Sequence, residues 1–139
     1  MEHVDFAVQQ LKANGYSCVA YNGKQLLESK RRGVAPLLQW LEEKQELSGY
    51  GIADKVVGKG AAFLYVLLGA TRLHAFVISQ PALDVLLQHG VEVSYDTCVP
   101  AIRNRDNTGY CPIESVVLDC NEPEIALIQI NKKIKELTL

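Results

Sequence analysis

The chain has 139 residues, of which 48% are apolar, a formal net charge of −2 and an isoelectric point near 5.9. This composition predicts a single domain over residues 1–139 and excludes a disordered chain and the overall basic charge typical of nucleic-acid-binding proteins. No apolar run approaches the roughly 18 residues of a membrane span, and the acidic start lacks the layout of a signal peptide. We therefore expect a cytoplasmic protein with neither a membrane nor a nucleic acid as its partner.

The cysteines and histidines argue against a metal site. Cys18, Cys98, Cys111 and Cys120 contain no CxxC pair, a pattern that favours reduced thiols in the cytosol. The three histidines are scattered along the chain. The sequence therefore predicts no metal and no other cofactor.

The first third of the chain is predicted to form a helix, a β-hairpin and a second helix. Apolar residues at helical spacing run over 4–11 and end at an Asn-Gly pair. Two strand candidates, 16–21 and 24–29, flank a second Asn-Gly pair, which is a strong hairpin signal. The basic run 30–33 then favours either a phosphate site or a solvated loop. Pro36 marks the start of the next helix.

The centre of the chain is predicted to be a long buried helix, a strand and another helix. The helix is placed over residues 53–69, because 61–68 are apolar on every side. Residues 72–79 contain a short apolar run typical of a covered strand. The second helix is placed over 80–90, with Pro81 in its first turn.

The last third is predicted to contain a strand, a long loop and two helices. Apolar and polar residues alternate over 91–95, which predicts a half-buried strand. Residues 97–110 are predicted to form a polar loop, and loops of this length are often functional. A short helix opens near Cys111, and Asn121 caps the last one. The helix over 80–90 predicts a right-handed parallel crossover, so the fold class is α/β: a three-layer α/β/α sandwich with a mixed sheet.

Over about residues 16–95 this order resembles the cytidine-deaminase-like superfamily, in which two helix starts hold a zinc ion. The stretch Ser-Gln-Pro-Ala-Leu-Asp-Val at 79–85 is similar to the second zinc motif, Pro-Cys-x-x-Cys, but Ala82 and Val85 replace its cysteines. Val-Gly-Lys at 57–59 replaces the first motif. The resemblance implies the fold and the location of a site, and it excludes deamination by a zinc hydroxide.

The chain resembles more closely a small prokaryotic family of unknown function that has this fold without the zinc motifs. The similar segments are residues 53–58, 77–79 and 104–114. This resemblance covers most of the chain and implies no activity.

The start of the predicted central helix is the first candidate site. Asp54, Lys55 and Gly58 lie there, and a helix N-terminus favours anions through its free N–H groups and its dipole. Glycine is expected where a ligand or another backbone comes close. The alternative is tight packing of the helix on the sheet, with the lysines in solvent.

Cys111 and Glu114 form the second candidate. A cysteine at a helix start with arginines upstream favours a thiolate nucleophile or a redox-sensitive thiol, and Glu114 is then an acid–base or orienting group. The alternative is ordinary helix-start chemistry, with Cys111 as a packing residue. Ser79 either contacts a ligand at a strand end or caps the helix that follows. His74 is expected to be a satisfied core or edge histidine.

The sequence therefore supports two hypotheses. The first is a site for a small anionic, nucleotide-like ligand, with enzymatic activity left open. The second is a catalytically inactive domain that binds proteins or self-associates as a homodimer. The expected site residues are catalytic Cys111 and Glu114, with Asp54, Lys55, Gly58, Ser79, Asn104 and Arg105 binding the ligand.

Overall fold

The computed structural model describes residues 2–103 and 111–138, and this part of the chain contains six helices and five strands. The helices and strands are, in chain order, α1 (Glu2–Asn14), β1 (Cys18–Tyr21), β2 (Leu26–Ser29), α2 (Ala35–Glu42), β3 (Gly51–Val57), α3 (Lys59–Leu67), β4 (Arg72–Ser79), α4 (Gln80–Gln88), β5 (Glu92–Val99), α5 (Pro112–Val117) and α6 (Pro123–Thr138).

The five strands form one open, mixed sheet in the order β2-β1-β3-β4-β5. β1 is antiparallel to both of its neighbours, while β3, β4 and β5 are parallel. Parallel neighbours need a crossover, and α3 and α4 provide the two that this order requires. The mixed α/β class predicted from the sequence is confirmed.

Apolar residues lie on both faces of the sheet. Ala7 and Leu11 of α1 pack against Val19 and Ala53 on one face. Residues next to these in the strands, such as Ile52 beside Ala53, point to the opposite face of the sheet. There they join a larger core that also contains residues of α2 to α6.

The prediction of one helix over residues 53–69 is wrong in its first part. Residues Gly51–Val57 form β3, and α3 begins only at Lys59. β3 pairs with β1 on one side and β4 on the other, so that Ala53 lies between Val19 and His74. These two ladders outweigh the modest strand preference of Ala-Asp-Lys. The apolar stretch that follows is a buried helix, with residues 61–65 all buried.

Other boundaries agree more closely with the sequence. The hairpin and the crossover helix α4 are where they were predicted. β5 extends to Val99, so it takes in the start of the predicted loop. The rest of that loop includes residues 104–110, which are outside the described part of the chain. Among the described helices, none combines the length and apolarity needed to cross a membrane.

The central position of α3 predicts a large cost for truncating its buried face. Leu64 is fully buried, and Leu64→Ala should lower the free energy of unfolding by about 2–5 kcal/mol. Leu87 on α4 is 56% exposed, and Leu87→Ala is the matched control, with an expected loss under about 1 kcal/mol. Urea unfolding of the two variants measures both values; equal losses would contradict this placement of α3.

Candidate functional site

The N-terminus of α3 is capped by a side chain from a distant helix. Glu114, on α5, accepts hydrogen bonds from the backbone N–H groups of Lys59 at 2.6 Å and Gly60 at 2.9 Å. The cap residue of α3, Gly58, has no side chain to make these bonds itself. Burial raises the pKa of Glu114, while the two N–H groups and the Lys59 charge oppose the rise. Glu114 therefore provides the negative charge that a helix N-terminus favours.

The two glycines at this helix start make room for α5. A Cβ at Gly58 would lie 2.6 Å from the Glu114 carboxyl carbon, and one at Gly60 would lie 2.8 Å from Ile113 Cγ2. The φ angle of Gly58 is −93°, which other residues adopt, so space and not backbone strain explains this glycine. The sequence predicted that the N–H groups at the start of this helix are free to bind an anion. In the structure, Glu114 already accepts hydrogen bonds from two of them, those of Lys59 and Gly60.

Asp54 is a buried carboxyl group at the centre of a second polar cluster. Its Oδ2 accepts a hydrogen bond from the Tyr65 hydroxyl at 2.5 Å, and its Oδ1 accepts one from the Val56 N–H at 3.1 Å. Burial raises the pKa of Asp54 to about 7 in spite of these bonds. Cys18 lies opposite Asp54 on β1, and burial together with the Asp54 charge raises the pKa of its thiol. Asp54 can therefore give or take a proton near neutral pH.

The two buried carboxyl groups line one cavity of about 400 Å³. It lies at the carboxyl end of β3, the position where α/β sheets usually bind ligands. Three exposed basic residues, Arg32, Lys55 and Arg103, also border it. Its other lining residues are Ser17, Cys18, Gly33, Val34, Val56, Gly58, Ala61, Ile102, Cys111 and Ile113. The cavity thus combines carboxyl groups and apolar side chains with basic residues at the protein surface.

Five of the eight predicted site residues border this cavity: Asp54, Lys55, Gly58, Cys111 and Glu114. Ser79 does not. It is fully buried, and its hydroxyl accepts a hydrogen bond from the Ala82 N–H at 3.2 Å, which caps α4. Asn104 and Arg105 are outside the described residues. The assignment of these eight residues to a functional site stays a prediction.

The structure places Cys111 and Glu114 in different roles. Cys111 is the half-buried cap residue of α5 and borders the cavity. The Glu114 carboxyl group accepts hydrogen bonds from the N–H groups at the start of α3. The acid–base or orienting role of Glu114 beside the thiol stays a prediction. The described residues include no group of three or more His, Cys, Asp or Glu side chains placed to hold a metal ion.

Sequence reasoning missed two residues that contact or face Asp54 and one that lines the cavity border. Cys18 and Tyr65 have no sequence signal, because a β-ladder and a buried hydrogen bond bring them to Asp54. Arg32 did have a sequence signal, because it is part of the basic run that follows the hairpin.

Comparison with protein families decides the family. The family described as "TM1506: Domain of unknown function (DUF1893)" matches residues 6–134. The chain belongs to the DUF1893 family. A crystal structure of the DUF1893 family protein TM1506 from Thermotoga maritima is 31% identical and has a TM-score of 0.89, over 95% of this chain and 90% of that one. No curated protein matches. The DUF1893 matches identify a family of unknown function and do not by themselves indicate a relationship to cytidine deaminases.

In this DUF1893 chain, the contact between Gly58 and Glu114 predicts a strong coupling between two substitutions. Gly58→Ala should be destabilising, because its Cβ would overlap the Glu114 carboxyl group. In a Glu114→Ala background the same change should cost at least about 1 kcal/mol less. Urea unfolding of the four variants gives the coupling energy.

Gly51→Ala is the matched control for this cycle. A Cβ at Gly51 would lie 2.2 Å from the Val4 backbone nitrogen, so Glu114→Ala should not relieve its cost. Independent, additive effects of Gly58→Ala and Glu114→Ala would contradict the proposed packing.

The raised pKa of Asp54 predicts a pH-dependent stability for the DUF1893 fold. The folded state holds the Asp54 proton more tightly than the unfolded chain, whose pKa is near 3.8. The contribution of Asp54 to stability is therefore fully present below about pH 4 and is lost as the pH rises to about 7. At about 1.4 kcal/mol per pKa unit, this loss amounts to as much as about 4 kcal/mol.

Asp54→Asn isolates this contribution, because the amide does not titrate. The free energy of unfolding of the wild type, minus that of Asp54→Asn, should fall between pH 4 and pH 7 and stay level above it. A difference that is constant over this range would show that Asp54 has an ordinary pKa.

Proposed function

We propose that the DUF1893 cavity binds a small organic molecule that has an anionic group and a hydrogen-bonding, mainly apolar body. The observation that carries the proposal is one cavity with two buried carboxyl groups, Asp54 and Glu114, and with exposed cations, including Arg32 and Lys55, at its border. Pockets lined mainly by apolar side chains with a few convergent polar groups are typical ligand sites.

The charges suggest the orientation of the ligand. Glu114 already neutralises the start of α3, so an anionic group would be repelled from that end of the cavity. The exposed cations favour the same group at the border. The body of the ligand then faces Asp54, which can donate a hydrogen bond when protonated and accept one when ionised. A nucleotide, with a phosphate and a base that carries donors and acceptors, has this combination.

Asp54 is also the best-supported acid–base group if the ligand is transformed. Its pKa of about 7 allows proton exchange at neutral pH, and it borders the cavity. Cys111 borders the same cavity and stays a proposed nucleophile or redox-sensitive thiol. Glu114 acts in this proposal by holding α5 against α3.

A three-layer, deaminase-like arrangement belongs to the same proposal. Helices packed on both faces of the sheet support it, as does the start of α4 directly after β4. Ala82 and Val85, at the positions of the zinc-binding cysteines in the resemblance, are buried core residues. We therefore propose a ligand site near the former deaminase position without its zinc reaction.

The alternative is a domain that acts by binding protein or by self-association. It is supported by exposed apolar residues on α6, where Ile125 is 44% and Ile128 is 61% exposed. Sedimentation analysis distinguishes self-association: Ile128→Asp should dissociate an oligomer that uses this face and should not affect ligand binding in the cavity.

A nucleotide titration tests the ligand proposal. The four ribonucleoside monophosphates are added to ¹⁵N-labelled protein, and the amide signals of cavity residues, Gly58 and Val56 among them, should shift and saturate with at least one nucleotide. Lys55→Met should weaken that binding by about threefold to tenfold, because a cation near the anionic group is lost. Lys132→Met, on α6, is the matched control and should leave binding unchanged.

The contrary outcomes are specific. If none of the four nucleotides shifts these signals, a nucleotide-like ligand is excluded. If the shifts saturate equally in Lys55→Met and Lys132→Met, the cations at the border do not bind the anionic group.

A further inference from the structure

A second cavity, of about 670 Å³, lies on the opposite side of the sheet, between α1 and strands β4 and β5. α1 packs mainly on β1 and β3, which leaves part of β4 and β5 to form the floor of this groove. The lining residues are Val4, Asp5, Val8, Gln9, Lys12, Arg72, His74, Glu92, Val93, Ser94 and Asp96. It is separate from the cavity around Asp54, with which it shares no lining residue.

Three residues on this floor form a continuous hydrogen-bonded chain. His74 on β4 and Ser94 on β5 are register partners in the parallel ladder. The Ser94 hydroxyl lies 2.8 Å from His74 Nδ1, and Asp96 Oδ1 lies 3.1 Å from His74 Nε2. Residues 94 and 96 are two apart on one strand, so both side chains lie on the same face as the imidazole.

The two contacts agree on one tautomer of His74. An ionised Asp96 can only accept at Nε2, so Nε2 carries a proton, and when the ring is neutral Nδ1 accepts from the Ser94 hydroxyl. In this neutral tautomer the imidazole is a base against a serine hydroxyl, with a carboxylate behind the ring. In Ser–His–Asp sites the imidazole likewise contacts the serine hydroxyl on one side and a carboxylate on the other. Here, however, Nδ1 and not Nε2 faces the serine.

We propose that Ser94, His74 and Asp96 form an acyl-transfer site that acts on small esters. Ser94 Oγ would attack the ester carbonyl carbon while its proton passes to His74 Nδ1. The bond from carbon to the leaving oxygen then breaks, and the proton passes to the leaving alcohol. Water hydrolyses the acyl-serine through the same base, which releases the acid and restores Ser94.

The groove also contains a cation for the negative charge that develops on the carbonyl oxygen. Arg72 forms an ion pair with Glu92 at 2.6 Å, so its charge is already matched. Lys12 lines the same groove from α1, with its ammonium nitrogen 5.8 Å from the centre of the Phe76 ring. Of the two cations that line the groove, Lys12 is therefore the one that this proposal assigns to the oxyanion.

The opposing interpretation is a structural cross-strand network on a solvated sheet face. The exposure of Asp96 also bears on how much it would contribute to acyl transfer. The Asp96 side chain is 57% exposed and that of His74 is 17% exposed. Water therefore screens the carboxylate, and we expect a smaller contribution from Asp96 than from His74.

A fluorophosphonate probe distinguishes the two interpretations, because it labels serines that a base activates. Wild-type protein should be labelled at Ser94, as located by peptide mass spectrometry, and should release p-nitrophenolate from p-nitrophenyl acetate in a burst. Ser94→Ala should abolish both signals. His74→Gln should slow labelling by about a hundredfold, and Lys12→Met and Asp96→Asn by about tenfold each.

Ser48→Ala, an exposed serine elsewhere, is the control and should leave the labelling unchanged. Circular dichroism of each variant separates loss of labelling from loss of folding. Labelling of the wild type no faster than that of Ser94→Ala would overturn the proposal, as would equal rates for His74→Gln and the wild type. Either result would assign the three residues to a structural network.

Discussion

The hydrogen bonds from the start of α3 to Glu114 are the interaction on which the site depends. A buried helix start has backbone N–H groups that need partners, and Gly58 has no side chain to provide one. The glycine leaves the space that the Glu114 carboxylate fills. α5 is thereby fixed against α3, and its first residues become one wall of the cavity beside β3.

The hydrogen bonds to the start of α3 also distinguish Glu114 from the other buried carboxyl group, Asp54. Burial raises the pKa of Glu114, while two backbone N–H donors and the nearby Lys59 charge favour its ionised form. Asp54 accepts hydrogen bonds from the Tyr65 hydroxyl and the Val56 N–H, and burial raises its pKa to about 7 in spite of them. Different environments push the two groups toward different roles, and in this account Glu114 builds the site while Asp54 is its acid–base group.

Local patterns predicted the parts of the fold that local physics determines. The Asn-Gly hairpin, the proline at the start of α4 and the apolar run of α3 all report nearby backbone preferences. β3 was missed because its identity comes from pairing with β1 and β4, which no short window contains. Asp54 and Glu114 border one cavity, but the hydrogen bonds that hold Glu114 there come from Lys59 and Gly60, which lie 55 and 54 positions away in the sequence. The chain from Ser94 to Asp96 through His74 likewise depends on the register of two parallel strands, which no local sequence pattern reveals.

Amide NMR tests the central claim, that Glu114 caps α3, most directly. In the wild type the ¹H–¹⁵N signals of Lys59 and Gly60 should lie downfield, as expected for N–H groups bonded to a carboxylate, and both should move together as Glu114 titrates. In Glu114→Gln both signals should lose the pH-dependent movement that is due to Glu114. Signals of Lys59 and Gly60 that are the same in Glu114→Gln and in the wild type at every pH would contradict the account.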